Sequence, residues 1–278
     1  MLVEPIIIGH EELSRDQLLL DRGIHYGDGL FETIAANKGE MPLLKYHLNR
    51  LQRDSLALLG DHPADLITLR LQALNKVLQA HPEPHVVKLL VTRGVSGRGY
   101  GFDPKTPLRV FAFIYPYTPP TSEKRLTGLN VIQCRHLLAD RGFIGSIKHC
   151  NRIDQVIARS EVQQLKADEG LMYSAQGHLV EATSANVAVK LHGQWLTPEV
   201  SFLGIAGVAR QLMVEKGLLK VANISQAALK EAHGLALINS VQGIMPVSSL
   251  YGSTFTAKPQ DILDELGSDL PMHLVGRW

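Results

Sequence analysis

Gly145-Ser146-Ile147-Lys148-His149-Cys150-Asn151-Arg152 sets one lysine between an apolar residue and the start of an amphipathic pattern. Taken alone, Lys148 reads as a solvated lysine in the loop before a helix, the usual fate of that residue type. Beyond it, the spacing predicts a helix over 151–166 that turns Ile153, Val156, Ile157 and Val162 towards a core. Strands follow at Gly170–Tyr173, His178–Glu181 and Asn186–Leu191, the last two separated by a turn at Ala182-Thr183-Ser184-Ala185, and a further helix begins near Gly207. Before the lysine, Leu129–Cys134 reads as a strand, and Pro116, Thr118, Pro119, Pro120, Thr121 and Ser122 have the composition of a linker.

The first half alternates strands and helices. Ile6-Ile7-Ile8 with a turn at Gly9-His10 resembles a short edge hairpin. Leu48, Leu51, Leu56 and Leu59 recur at helical spacing over 47–59, and a second helical pattern runs from Leu66 to Val77. Val86–Val91 and Arg109–Tyr115 are rich in β-branched and aromatic residues, as strands are. The reading is α+β in two lobes: a smaller N-terminal α+β domain over 1–117, a linker over 118–124 and a larger domain over 125–278.

With 28 basic and 27 acidic residues in 278, the chain has no net field to hold a phosphate backbone or an anionic membrane, so nucleic acid and membrane partners are not expected. No apolar stretch approaches the ~20 residues of a spanning helix. Two cysteines, Cys134 and Cys150, do not make a disulfide framework, and a reducing cytoplasm is the expected compartment. None of the twelve histidines has the paired helical spacing of a zinc site, so no metal is expected.

Four separated segments then stand together: Asp21-Arg22-Gly23-Ile24-His25-Tyr26-Gly27-Asp28-Gly29-Leu30-Phe31-Glu32-Thr33; His47-Leu48-Asn49-Arg50-Leu51; the Lys148 stretch; and Leu179-Val180-Glu181-Ala182-Thr183-Ser184-Ala185-Asn186. Gly207-Val208-Ala209-Arg210 and Asn239-Ser240-Val241-Gln242-Gly243-Ile244-Met245-Pro246-Val247 complete the set. In this order and at these spacings the chain resembles the fold type IV pyridoxal-phosphate enzymes, the family of the D-amino-acid and branched-chain aminotransferases. The resemblance spans most of the chain and implies the two-lobed architecture of that family, with the cofactor bound largely by the C-terminal domain.

It also implies roles. Lys148 would carry pyridoxal 5'-phosphate as an imine, which only a primary amine can form and later exchange. Glu181 would face the pyridine nitrogen and keep it protonated, so that the ring can accept electron density. Arg50 would clamp the cofactor phosphate with two parallel donors. The backbone amides of Val208 and Ala209 at a helix start would add donors, joined by Ser240. Many relatives carry threonine where Ala209 stands, so one hydroxyl contact is missing here. Read singly, each is ordinary: Arg50 a solvent-facing helix arginine, Glu181 a charge at a strand end. Arg22, Asp28 and Glu32 read as residues that fix a turn or a subunit contact, and His149 and Cys150 receive no role.

Within the family, Lys148-His149-Cys150-Asn151-Arg152 lacks the tyrosine typical of branched-chain aminotransferases. It looks like the branch that converts 4-amino-4-deoxychorismate to 4-aminobenzoate and pyruvate in folate biosynthesis, as do Asn239-Ser240 and Arg93-Gly94-Val95-Ser96-Gly97-Arg98-Gly99-Tyr100. That substrate carries two carboxylates, for which Arg98 and Arg93 are the candidate partners, with Asn239 as a polar neighbour. The competing readings are a D-amino-acid or branched-chain aminotransferase and a cofactor-binding protein without catalysis. The resemblance further implies a homodimer.

Overall fold

The computed structural model describes residues 6–9, 13–60, 63–267 and 270–276. The chain divides into two compact units, one formed by the chain up to Thr118 together with Ile147–Asn151, the other by Pro119–Ser146 and Arg152 onwards. The lysine segment therefore belongs to the first unit, although the chain has already entered the second. Residues expected as the end of the linker are helical from Ser122. The turn expected at Gly9-His10 falls partly outside the described residues.

In the first unit, β1 (Ile6–Ile8), β2 (Gly29–Ala36), β3 (His85–Thr92) and β4 (Arg109–Pro116) form an antiparallel sheet in the order β1-β4-β3-β2. β1 pairs with β4 at the edge rather than closing a hairpin. Register sets Leu30, Glu32 and Ile34 beside Val91, Leu89 and Val87, and these beside Val110, Ala112 and Ile114. Because side chains alternate along a strand, these residues share one face. Two short helices, α1 (Arg15–Leu19) and α2 (Arg22–Tyr26), precede β2. Two longer ones, α3 (Leu44–Leu58) and α4 (Ala64–Ala80), cover the apolar face with Leu51, Ile67, Leu74 and Leu78. The opposite face, with Phe31, Thr33, Lys88 and Leu90, stays partly exposed.

The leucine row that the spacing predicts on α3 packs inward except for one member, with Leu51 and Leu59 buried and Leu48 partly buried against the same core. Leu56 is exposed, and His47, Arg50, Asp54 and Ser55 are buried beside Leu51. Charged groups are buried when they are paired, and the partners of these are identified below.

The second unit holds α5 (Ser122–Thr127), β5 (Leu129–Leu138), α6 (Ile153–Gln164), β6 (Glu169–Ser174), β7 (Leu179–Ala182), β8 (Asn186–Leu191), β9 (Gln194–Pro198), α7 (Val208–Glu215), β10 (Lys220–Ala222), α8 (Gln226–Leu229), β11 (Gly234–Asn239), β12 (Gly243–Leu250), β13 (Ser253–Thr254) and α9 (Pro259–Leu266). Its strands, among the described residues, run β10-β9-β8-β11-β12-β5-β6-β7, with β13 paired to β12. Side chains of β5, β6, β7, β8, β11 and β12 meet in one core around Leu171, Tyr173, Leu179, Val187, Leu237 and Val247. Strands so far apart in the order share a core only because the sheet curls.

The helix expected over 151–166 forms as α6 but buries only Val162 of the four residues its pattern suggests. Ala158 and Val162 reach the core, whereas Ile153, Val156 and Ile157 are 59%, 61% and 41% exposed. The outward row is as apolar as the inward one, so periodicity could not tell them apart.

Immediately before the lysine segment the fold tolerates no side chain. A Cβ on Gly145 would stand 1.8 Å from the Phe202 carbonyl oxygen. Gly145→Ala is expected to destabilise the protein by about 1–3 kcal/mol through overpacking. The measurement is the urea midpoint, which should fall relative to a Gly101→Ala control, where the backbone is not left-handed and a Cβ meets nothing.

Candidate active site

Lys148 is placed by backbone bonds. Residues 148–150 lie against the start of β2 on its outer edge: the Phe31 amide donates to the Lys148 carbonyl at 3.1 Å, and the Cys150 amide to the Gly29 carbonyl at 2.9 Å, while the His149 amide turns back to the Ile147 carbonyl at 2.9 Å. Leu30 and His149 form the bridge between these bonds. The Lys148 amide donates to Asp54 Oδ2 on α3 at 3.0 Å. Lys148 thus lies in the loop before α6, as its sequence position suggests, but that loop is tied to the edge of a sheet. Ile147 and His149 are buried on either side of it, while its own side chain is half-buried, with Nζ 4.3 Å from the centre of the Phe31 ring. Lys88, which the sequence reading passed over, sets its own Nζ 5.0 Å from the same ring centre.

Beside this segment lies a buried charge cluster. Glu32 on β2 accepts from Arg50 Nε at 2.8 Å, from Arg50 Nη2 at 2.6 Å and from His47 Nδ1 at 2.7 Å. Burial pushes the Glu32 carboxyl up, but the Arg50 charge and the bonds from Arg50 and His47 outweigh it and hold the group at about 2. His47 is lowered by burial, with the positive charges of Arg50 and Lys148 working the same way against Glu32. A neutral imidazole that donates from Nδ1 leaves Nε2 as a lone-pair acceptor, and this atom is buried with no hydrogen-bond partner. Glu32 takes one edge of the Arg50 fork, so an anion met by Arg50 would use donors outside this pair.

Arg93 and Arg98, expected together at a substrate carboxylate, occupy different settings. Arg93 is buried: Nε donates to Asp28 Oδ2 at 2.8 Å, and Nη1 and Nη2 to the Leu59 and Leu58 carbonyls at 3.0 and 2.9 Å, capping the end of α3. Its guanidinium holds the fold together, which leaves Arg98, exposed on the same loop, as the arginine open to an anion.

In the second unit, Glu181 at the end of β7 is buried and fixed at both oxygens. Gln155 Nε2 donates to Oε1 at 3.0 Å and the Ile205 amide to Oε2 at 2.9 Å. Asn186 clamps the stretch before α7, donating to the Ile205 carbonyl at 2.7 Å and accepting from the Gly207 amide at 2.9 Å. A Cβ on Gly207 would lie 2.1 Å from that Asn186 oxygen, so only glycine fits. Gly207 is the N-cap of α7 and supplies no side-chain cap, and the amides of Val208 and Ala209 open the helix. Such a start presents donors and a favourable dipole to an anion. Neither Asn186 nor Gln155 was singled out from sequence; the signal for Asn186 was its place at the end of the Glu181 motif.

Asn239 folds back on its own turn, accepting from the Val241 and Gln242 amides at 3.0 and 2.7 Å, with Ser240 at the tip between β11 and β12. Arg22 and Asp28 fix a turn, as read from sequence: Arg22 Nε donates to Asp28 Oδ2 at 2.8 Å.

Residues 29–250 match the model of the amino-transferase class IV family. The chain belongs to that family. It is 30% identical over 239 residues to aminodeoxychorismate lyase of Vibrio harveyi, covering 83% of this chain and 86% of the relative. It is 27% identical over 252 residues to a putative branched-chain-amino-acid aminotransferase of Methanocaldococcus jannaschii, covering 86% and 84%. Among solved structures, 4-amino-4-deoxychorismate lyase of Pseudomonas aeruginosa superposes with a TM-score of 0.80 at 31% identity, over 96% of this chain and 99% of that one. The fold is the α+β architecture of the fold type IV enzymes, and pyridoxal 5'-phosphate is the cofactor of the class. Among the described residues no cluster of three or more His, Cys, Asp or Glu could hold a metal ion, and no helix is long and apolar enough to cross a membrane.

The buried cluster makes a pH prediction. Glu32 is held at about 2, below the 4.5 of a free glutamate, so its contribution to stability is present above about pH 4.5 and is lost as pH falls towards 2. His47 is lowered from 6.5, so protonating it also costs the folded state below that pH. Urea midpoints from pH 7 to pH 3 should fall steeply in the wild type and much less steeply in Glu32→Gln. Parallel curves would remove Glu32 from the account.

Proposed function

We propose that the protein is the lyase that converts 4-amino-4-deoxychorismate to 4-aminobenzoate and pyruvate. The observation that carries this reading is Lys148, a half-buried amine whose own backbone is pinned on both sides and whose Nζ lies 4.3 Å from the centre of the Phe31 ring. The 30% identity to a lyase of that name supports it.

The residues present fit the cofactor. Lys148 would hold it through its amine, Glu181 would meet the ring nitrogen, and Arg50, Ser240 and the amides of Val208 and Ala209 would meet the phosphate. Glu181 suits its part because two donors already fix its orientation; a pre-oriented carboxylate receives a further N–H without reorganising. The start of α7 suits its part because Gly207 brings the backbone close and leaves the first turn uncapped by a side chain. When bound, the cofactor supplies an electron sink for the charge left by proton removal.

The chain's own work is then to bind, orient and move one proton. The Lys148 amine takes the proton from C4 of the substrate, for which it acts in its neutral form. The C3–O bond breaks, enolpyruvate leaves and becomes pyruvate, and the ring becomes aromatic, which drives the step forward. Arg98 and Lys88 would hold the substrate carboxylates, with Asn239 as a polar neighbour. Lys88 joins because its ammonium shares Phe31 with Lys148.

Incubation of the holoenzyme with aminodeoxychorismate should yield equimolar 4-aminobenzoate and pyruvate, with no product from Lys148→Ala. Lys88→Met should raise KM about tenfold, equivalent to about 1.4 kcal/mol. Conversion of D-alanine and 2-oxoglutarate without any 4-aminobenzoate would make the protein an aminotransferase instead.

We also propose a homodimer. The exposed apolar row Ile153, Val156 and Ile157 on α6 is surface that a second copy would cover. Sedimentation should give about 60 kDa, twice the 30.6 kDa of one chain; a 30 kDa species at micromolar concentration would reject it.

A further inference from the structure

Arg22, at the start of α2, is buried and anchored to Asp28, and its remaining donors go to a single loop. Nη1 donates to the carbonyls of Ser96, Gly99 and Gly101 at 3.3, 3.1 and 3.1 Å, and Nη2 to the Tyr100 carbonyl at 3.1 Å. The guanidinium also lies 4.8 Å from the Tyr26 ring centre and 5.7 Å from that of Phe102, on whose ring Arg93 sits at 3.8 Å. Arg93 donates to the same Asp28 oxygen as Arg22. The loop is thus wound with its carbonyls inward around one cation.

Four carbonyl dipoles aimed at one point repel each other and forgo water. Such a winding persists only around a group that donates to all of them, and the five N–H of a guanidinium suit this where the three of an ammonium do not. Backbone turned inward puts side chains outward: Arg98 and Tyr100 are exposed, Tyr100 at 86%. Gly97 and Gly99 take φ of +55° and +67° to make the winding possible.

We propose that Arg22 is a positioning residue for substrate binding: it fixes loop 94–102 in one shape and thereby aims Arg98 at a carboxylate of the substrate. This deepens the lyase reading and rests on it through Arg98.

The test is a double-mutant cycle on the holoenzyme. Arg22→Lys should raise KM for aminodeoxychorismate about tenfold while kcat stays within about twofold. In an Arg98→Met background the same change should add nothing further. Should Arg22→Lys fail to fold, Gly99→Val strains the loop from its solvent side, where a Cβ meets nothing within 4 Å, and should reproduce the KM rise. Gly101→Ala, at an unstrained and open position, is the control. A wild-type KM in both Arg22→Lys and Gly99→Val, or a full additional loss in the Arg98→Met background, overturns the proposal. Amide exchange over 95–102 separates the two claims. If the wild type makes no 4-aminobenzoate, the lyase reading fails, and unchanged exchange in Arg22→Lys then rejects the hold on the loop as well.

Discussion

The first unit depends on the pairing of residues 147–151 with β2. Two backbone bonds and the Leu30–His149 bridge close the outer edge of the sheet, and the same bonds fix where the Lys148 side chain begins. An unpaired strand edge is a liability, and covering it is a stability requirement in its own right. Here the cover is also the segment that carries Lys148. Ile147 and His149 are buried on either side of half-buried Lys148, and the turn bond from the His149 amide to the Ile147 carbonyl spans the lysine between them.

Charge balance imposes the second constraint. Arg50 and His47 are buried on α3, and neither could be so without Glu32 between them. Asp54, one turn further on, accepts the Lys148 amide and ties the same helix to the lysine segment. Besides its leucines, α3 thus buries a polar side that apolar spacing alone does not reveal. The second unit uses a parallel device: Asn186 and Gln155 do no chemistry of their own but hold the α7 approach and Glu181 in place.

How much of this was legible in the sequence follows from what each element uses to declare itself. β3, β4 and β8 alternate cleanly or run apolar, and their residues appear close to the expected ranges. α6 was found but turned the wrong way, because Ile153, Val156 and Ile157 make an apolar row as good as the buried one. The docking of the lysine segment on β2 left no trace, since an isolated bridge held by backbone bonds carries no periodicity. The site was legible only as a set. Lys148, Glu181 and Arg50 each look ordinary alone, and it is their order that places the chain in its family. Lys88 escaped because a lone lysine on a strand face has no pattern; its proximity to Phe31 exists only in three dimensions. Arg93 misled for the opposite reason, since a guanidinium in a glycine-rich segment serves the fold as readily as a ligand.

The place of the lysine segment in the chain has a consequence for synthesis. On a ribosome, β1 to β4 emerge well before residues 147–151, and domains generally begin to fold as they appear. The nascent first unit therefore waits with β2 paired to β3 but its outer edge uncovered at Gly29–Phe31 while the start of the second unit is still being translated. During that interval the bare edge can recruit a strand from another nascent chain. A stop codon placed after Thr118 would make the wait permanent, and the fragment should aggregate rather than fold, even though it contains all four strands of its sheet.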